Sequence, residues 1–339
     1  MTLNRRQFIK SMFLAGTFVL VNPFSFFKKD MREKNNGKNI VRGVYVPGWK
    51  GITKKSIDNY MELKDSHGIN TLMIDVKNVR GNLFYSPENN LARDIEAQVK
   101  TLEGKKRELN FDYLFNQAHK NNINLVARHA MFRDHLLYDK KLEFRLWEGK
   151  YQKWIDMMNK DVVNYNLDLL KEESRFGFNN IVLDYIRFPA SKKFDNEEYE
   201  CEIIDDVVKK AKNKLGDNVD LGVQTFGHSS WNYRESGVGQ RIDSLSKYAD
   251  TIYPMLYPSH FWEGSLGFLN PSEHPYEIIE EGYKQTKKKI SNKTKIIPMI
   301  QAFNYSGEMF RKQISAVEDF NMDGFVCWNS RGNYYVFNE

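Results

Sequence analysis

Cysteine is scarce in this 339-residue chain. Only Cys201 and Cys327 occur, which excludes a disulfide scaffold and any zinc-ribbon pattern. Also missing are the Gly-x-Ser-x-Gly elbow of serine hydrolases, a phosphate-binding P-loop and any His-x-His pair, so those chemistries have no local signature. Long hydrophobic runs are absent too. The longest apolar stretch near the start, Ser11 to Val21, falls short of the roughly 20 helical residues that cross a bilayer. A mean hydropathy of −0.61 sets aside a multi-span membrane protein. Aromatic residues are plentiful, with 23 Phe, 18 Tyr and 6 Trp, and they exclude a disordered chain.

Excess charge is small once it is located. The formal net charge is +6, but residues 1–30 hold five bases (Arg5, Arg6, Lys10, Lys28, Lys29) and one acid (Asp30). Without them 45 bases face 43 acids, a nearly neutral remainder without the basic face of a nucleic-acid binder. The excess belongs to a leader. Asn4-Arg5-Arg6-Gln7-Phe8-Ile9-Lys10 precedes the apolar run, and Asn22-Pro23 breaks it. This pattern resembles a twin-arginine export signal over residues 1–27, which predicts an exported protein, periplasmic or extracellular, held at the membrane only if the signal stays uncleaved. Residues 28–39 read as a polar linker.

From Val41 the chain alternates. Apolar, β-branched runs at Val41–Trp49, Asn70–Asn78, Asn124–Phe132, Asn180–Phe188, Asp220–Gly227, Thr251–Ser259, Lys295–Phe303 and Gly324–Asn329 read as strands covered on both faces. Helical patterns separate them at Lys54–His67, Phe111–Asn121, Lys160–Arg175, Glu197–Leu215, Ile242–Tyr248, Pro275–Ile290 and Gly307–Phe320. Eight such repeats predict an α/β fold, a single-domain (β/α)8 TIM barrel over residues 40–337. A doubly wound open sheet is the rival, weakened because Val46-Pro47-Gly48-Trp49 stands where a Gly-x-Gly-x-x-Gly would follow the first strand.

Three strand-to-helix connections are long: Val79–Asn110, Arg133–Asn159 and His260–His274. Barrel active sites are built from these loops, so the working end is expected at the C-terminal face. All six tryptophans (Trp49, Trp147, Trp154, Trp231, Trp262 and Trp328) fall on that side, as do Tyr257, Phe261, Tyr233, Tyr334 and Tyr335. They suggest an aromatic cleft offering flat faces to sugar rings.

Two acids close apolar runs: Asp75 in Leu72-Met73-Ile74-Asp75-Val76-Lys77, and Asp184 in Ile181–Pro189 (IVLDYIRFP). Glycoside hydrolysis needs two carboxyl groups flanking one bond, and these two are the candidates, with Arg187 placed to keep Asp184 ionised. Arg187, Arg128, Tyr185, His129, Gln224, Trp231, Tyr257, His260, Trp262, Gln301 and Trp328 are the expected substrate contacts. No cofactor or metal is assigned, although His129, His228 and His260 permit a metal-dependent reading.

At these residues the chain resembles a bacterial family, the "putative glycosyl hydrolase domain", over about residues 41–337. The likeness rests on Val41–Tyr45, Leu72–Lys77, Leu183–Pro189, Gly237–Gln240, Asp250–His260, Ile297–Gln301 and Gly324–Asn329. It implies a TIM barrel with carbohydrate-active chemistry, a poly- or oligosaccharide as partner, and Asp184 and Asp75 as the strand-four and strand-two acids. The resemblance also implies an acid near the end of strand five, where Gln224 stands, and another after the strand-seven glutamine, where Ala302 stands. An amide cannot transfer a proton as a carboxyl group does, so Glu235, Glu263 or Asp134 would have to substitute. The expectation is an exported glycoside hydrolase. Its rival is a barrel that binds glycans without cleaving them.

Overall fold

The computed structural model describes residues 40–100, 104–146, 153–190, 197–232, 237–291 and 293–339. The expected export signal and linker, together with Trp147, Tyr233 and Glu235, lie outside the described residues. Eight parallel strands form a closed barrel: β1 Val41–Val46, β2 Thr71–Lys77, β3 Asn124–Ala130, β4 Asn180–Asp184, β5 Asp220–Phe226, β6 Thr251–Leu256, β7 in two segments (Lys295–Ile296 and Met299–Gln301), and β8 Gly324–Trp328. Each strand pairs with the next, and β1 also pairs with β8 through Val41↔Gly324 to Val44↔Cys327. A first strand bonded on both edges closes the ring and removes the open-sheet alternative.

Most expected strands run too far at their C-terminal ends, for local reasons. Pro47 follows β1 and cannot donate to the ladder. Tyr185 adopts φ +52° and turns the chain out of β4 directly after Asp184. Pro298 interrupts β7, although its carbonyl still accepts from Val326 N at 3.0 Å. The expected helix Lys54–His67 divides into Lys54–Met61 and Leu63–His67, and Ile242–Tyr248 shortens to Ile242–Leu245. Lys160–Ser174 begins where Asn159 caps the amides of Asp161 and Val162.

Two cores result. The larger lies between strands and helices, and the smaller fills the barrel with Met73, Val126, Val182, Tyr253, Met299 and Val326. Gly222 makes room for this filling, since a Cβ there would meet Tyr253 Cε2 and Val182 Cγ2, each at 2.7 Å.

Closure depends on Gly324. Its φ is +136°, and a Cβ would come within 2.0 Å of Val41 O. Gly324→Ala therefore combines backbone strain with a clash, an expected loss of about 2–5 kcal/mol. Gly216→Ala, at φ +74° with nothing within 4 Å, should lose only the strain portion, about 1 kcal/mol. Denaturant unfolding of both variants checks this, and equal losses would contradict it.

Candidate active site

Side chains alternate faces along a strand, so the residue two beyond each barrel-filling side chain also points inward, one layer nearer the C-terminal mouth. Met73 is followed in this way by Asp75, Val126 by Arg128, Val182 by Asp184 and Val326 by Trp328. Tyr45 on β1 and Gln224 on β5 complete the layer.

Arg128 ties the layer together. Its Nη1 donates to Asp75 Oδ1 at 2.5 Å, its Nε donates to Asp184 Oδ2 at 3.0 Å, and its Nη2 donates to that same oxygen. Tyr45 OH donates to Asp75 Oδ2 at 2.7 Å and the Tyr185 amide to Asp184 Oδ1 at 2.6 Å. The Gln224 amide nitrogen, in the orientation that satisfies both groups, donates to Asp184 Oδ2 at 2.6 Å and Oδ1 at 3.1 Å. Asp75, Arg128 and Asp184 are all nearly inaccessible, and buried charges persist only when paired and hydrogen-bonded in this way. Burial pushes the Asp75 carboxyl above its ordinary range, against the opposing pull of Arg128 and the Tyr45 hydrogen bond. Burial and the neighbouring Asp75 raise the Tyr45 phenol far above its ordinary value, so it keeps its proton and remains a donor. Burial works against the Arg128 charge, yet Asp184 and Asp75 together hold it well above the ordinary guanidinium value.

This geometry corrects two expectations. Arg128, not Arg187, is the cation on Asp184. And because the guanidinium lies between Asp75 and Asp184, no sugar can sit between those carboxyl groups. Both Asp75 oxygens are taken, one by Arg128 and the other by Tyr45, so the contacts seen at Asp75 are those of an anchor for Arg128.

A cavity of about 190 Å³ opens over Asp184, with Tyr257, Trp328, Phe226 and Phe261 among its walls, and His228, His260, Tyr185 and Arg187 also lining it. Trp328 lies 4.0 Å from the Tyr45 ring and 6.4 Å from that of Tyr257, centroid to centroid. Burial raises the Tyr257 phenol well above its ordinary value, and Asp184 adds to the effect. A larger cavity, about 430 Å³, lies at the opposite end among the first residues of the strands, including Thr71, Asn124, Asn180 and Asp220. Barrel catalysis belongs to the C-terminal face, so the smaller cavity is the candidate.

Other expected contacts are turned elsewhere. His129 follows inward-facing Arg128 and so faces the helical layer, where Nδ1 meets Glu173 at 2.7 Å and Nε2 meets Asn166 at 3.0 Å. Gln301 is committed to its own rim: Oε1 accepts from the Ser259 amide and hydroxyl, and Nε2 donates to Phe303 O. Trp231 packs on Phe261 at 4.7 Å and Trp262 on His228 at 4.1 Å. Both stand behind the cavity wall, with Trp262 55% exposed. Trp154 is buried and Trp49 is 57% exposed, so of the tryptophans described only Trp328 lines the cavity. Asp134 is paired with fully buried Lys77 at 2.9 Å and caps the helix His135–Lys140, while Glu263 is exposed on its loop. Neither replaces the missing acid. Among the described residues no three His, Cys, Asp or Glu side chains converge as a metal site would need.

Sequence reasoning missed Tyr45 as a site residue. Its signal was present, since it stands two residues beyond Gly43 on a strand whose neighbour carries Asp75.

The family model described as "putative glycosyl hydrolase domain" matches residues 43–334. No curated protein matches the sequence. Among solved structures, the glycoside hydrolase domain of PgaB (BpsB) from Bordetella bronchiseptica superposes with a TM-score of 0.64 at 9% identity, over 86% of this chain and 95% of that one. The endo-β-1,4-mannanase of Thermotoga petrophila gives 0.60 at 14% identity, over 88% and 72%. That of Rhizomucor miehei gives 0.58 at 12%, over 86% of each chain. At such identities the likeness is one of fold.

Removing the shared cation should be costly. Arg128→Met leaves two buried carboxylates uncompensated, an expected loss of about 3–5 kcal/mol near neutral pH. Burial already pushes the Asp75 carboxyl up against the pull of Arg128, so without Arg128 its folded-state pKa lies above its unfolded value. The folded form then gains relative stability as pH falls toward about 4, and the deficit should shrink there. Urea unfolding of wild type and variant across pH measures this, and a deficit independent of pH would contradict it.

Proposed function

The chain belongs to the putative glycosyl hydrolase domain family, and from that premise we propose that it is an exported glycoside hydrolase cleaving O-glycosidic bonds of a poly- or oligosaccharide, with Asp184 as its reacting carboxylate. The observation that carries this reading is a single ionisable carboxyl group, clamped by Arg128 and the Tyr185 amide, at the floor of an aromatic-walled cavity on the C-terminal face.

The arrangement suits an oxocarbenium-like transition state. Arg128 takes Oδ2 from two nitrogens, so Oδ1 is the freer oxygen and is assigned to the anomeric centre, either attacking it or activating water against it. Two hydrogen bonds from rigid strands fix the carboxylate plane before substrate arrives, which lowers the reorganisation needed during reaction. Trp328 and Tyr257 supply faces for the sugar ring. Gln224 cannot protonate the leaving oxygen, so that role passes to a proton-bearing group of the cavity, among which are Tyr257, His228 and His260. Burial lowers the His260 pKa below its ordinary value, which counts against His260 in that role.

The same Gln224 favours a second reading, glycan binding without turnover. Its amide lies within hydrogen-bonding reach of Asp184, and Ala302 is buried and offers no acid.

One experiment separates the two. With a panel of oligosaccharides, Asp184→Asn should lower reducing-sugar release by at least about 10³-fold while binding persists. Equal background rates in wild type and variant, with saturable binding in both, would support the non-catalytic reading. Export is tested independently: Arg5→Lys with Arg6→Lys should retain the chain in the cytoplasm, and unchanged fractionation would remove the twin-arginine proposal.

A further inference from the structure

The charges around the cavity do not balance, and the imbalance is local. Asp75, Arg128 and Asp184 neutralise one another down to a single negative charge. Beyond them stand two arginines that have no carboxylate within 4.0 Å among the described residues.

Arg187 lines the cavity. Its guanidinium carbon lies 4.9 Å from the Trp154 ring centroid, 5.3 Å from that of Phe226 and 5.6 Å from that of Tyr185. Its Nη1 donates to Phe188 O at 2.8 Å, and its buried Nε meets no acceptor among the described residues. Arg133 approaches the same Tyr185 ring to 5.3 Å and donates from Nη1 to Tyr185 OH at 3.3 Å, and its buried Nε likewise meets no acceptor among the described residues. The other cations buried at this end are matched: Arg128 by two aspartates and Lys77 by Asp134.

Each guanidinium carries five N–H donors in a rigid fork. Aromatic faces hold the fork in place and stabilise its charge without consuming its donors. Two arginines against one ring, Arg187 lining the cavity and Arg133 beyond it, carry more N–H donors than the acceptors they meet among the described residues, and together they form a receptor for an anion. Burial pushes the Arg187 guanidinium below its ordinary value, and Arg133 adds to that push against the pull of Tyr185 and Asp184. A bound anion would relieve both effects.

The geometry points to an acidic glycan as the ligand of this cavity: a sugar ring over Asp184 whose carboxylate or sulfate is gripped by Arg187 and Arg133. This rests on the glycan reading above and adds the substrate class to it. Fork-to-carboxylate pairing is the geometry for which arginine is suited. The volume, about six waters at roughly 30 Å³ each, has room for a single sugar ring beside that contact.

The test uses matched ligands with the full-length protein. Oligogalacturonate, oligomannuronate and a sulfated oligosaccharide are titrated calorimetrically beside neutral counterparts of the same skeleton (methyl-esterified or desulfated), with reducing-end release followed in the same samples. An acidic member should bind at least about tenfold more tightly than its neutral counterpart, with that preference lost in Arg187→Gln and reduced in Arg133→Gln. The wild-type comparison stands even if a variant does not fold. Equal or tighter binding of the neutral forms, or variants that weaken both forms alike, would overturn the inference. Cleavage of a neutral glycan with the acidic ones ignored would overturn it while leaving the hydrolase reading intact. Acidic binding through the arginines without release would sustain it and count against hydrolysis. No binding to either kind would remove both.

Discussion

One guanidinium shared by two buried carboxylates is the constraint on which the working end of this barrel depends. Arg128 reaches across from β3 to Asp75 on β2 and Asp184 on β4, so the pairing spans three neighbouring strands. Taken singly, each of these charges would be intolerable in a barrel interior. Together they form a network in which every member needs the others, and the Tyr45 hydroxyl, the Tyr185 amide and the Gln224 amide saturate what remains. The apolar layer below, Met73, Val126 and Val182, keeps water from entering beneath and competing for these hydrogen bonds.

That constraint gives the two acids different surroundings despite similar positions in the sequence. Each closes an apolar run at a strand end. Asp75 has both oxygens occupied, one by Arg128 and the other by Tyr45, and it does not line the cavity. Asp184 lies two strands further round, where Tyr185 leaves the strand with a positive φ and opens space above the carboxylate. The strained turn therefore does two things: it ends β4, and it aims the Tyr185 amide back at Asp184. Backbone strain of this kind concentrates where function needs it.

The aromatic residues divide in the same way. Trp328 and Tyr257 wall the cavity, while Trp231 and Trp262 support the wall from behind through Phe261 and His228. Trp154, buried beneath the rim, instead offers its face to Arg187. Arg187 is thus held by rings where Arg128 is held by carboxylates, and this difference leaves one arginine structural and the other with donors to spare.

The barrel was legible along the chain. Eight apolar runs, the helical patterns between them and the unequal loops specify both the closed fold and the end that carries the site, because period-2 and period-3.6 patterns are local properties of the chain. It also placed Asp75, Arg128, Asp184, Gln224 and Trp328 at strand ends. What it did not determine was pairing across strands. Arg187 stands three residues from Asp184 and looked like its partner, but the turn at Tyr185 carries it out to the aromatic rim. The register Asp75↔Arg128 and Arg128↔Val182 instead sets Arg128 beside both acids. The same alternation sends His129 outward to Glu173. Which cation meets which anion was settled by folding alone, since ion pairing follows distance in space and the nearest charge along the chain lay on the wrong side of a bend.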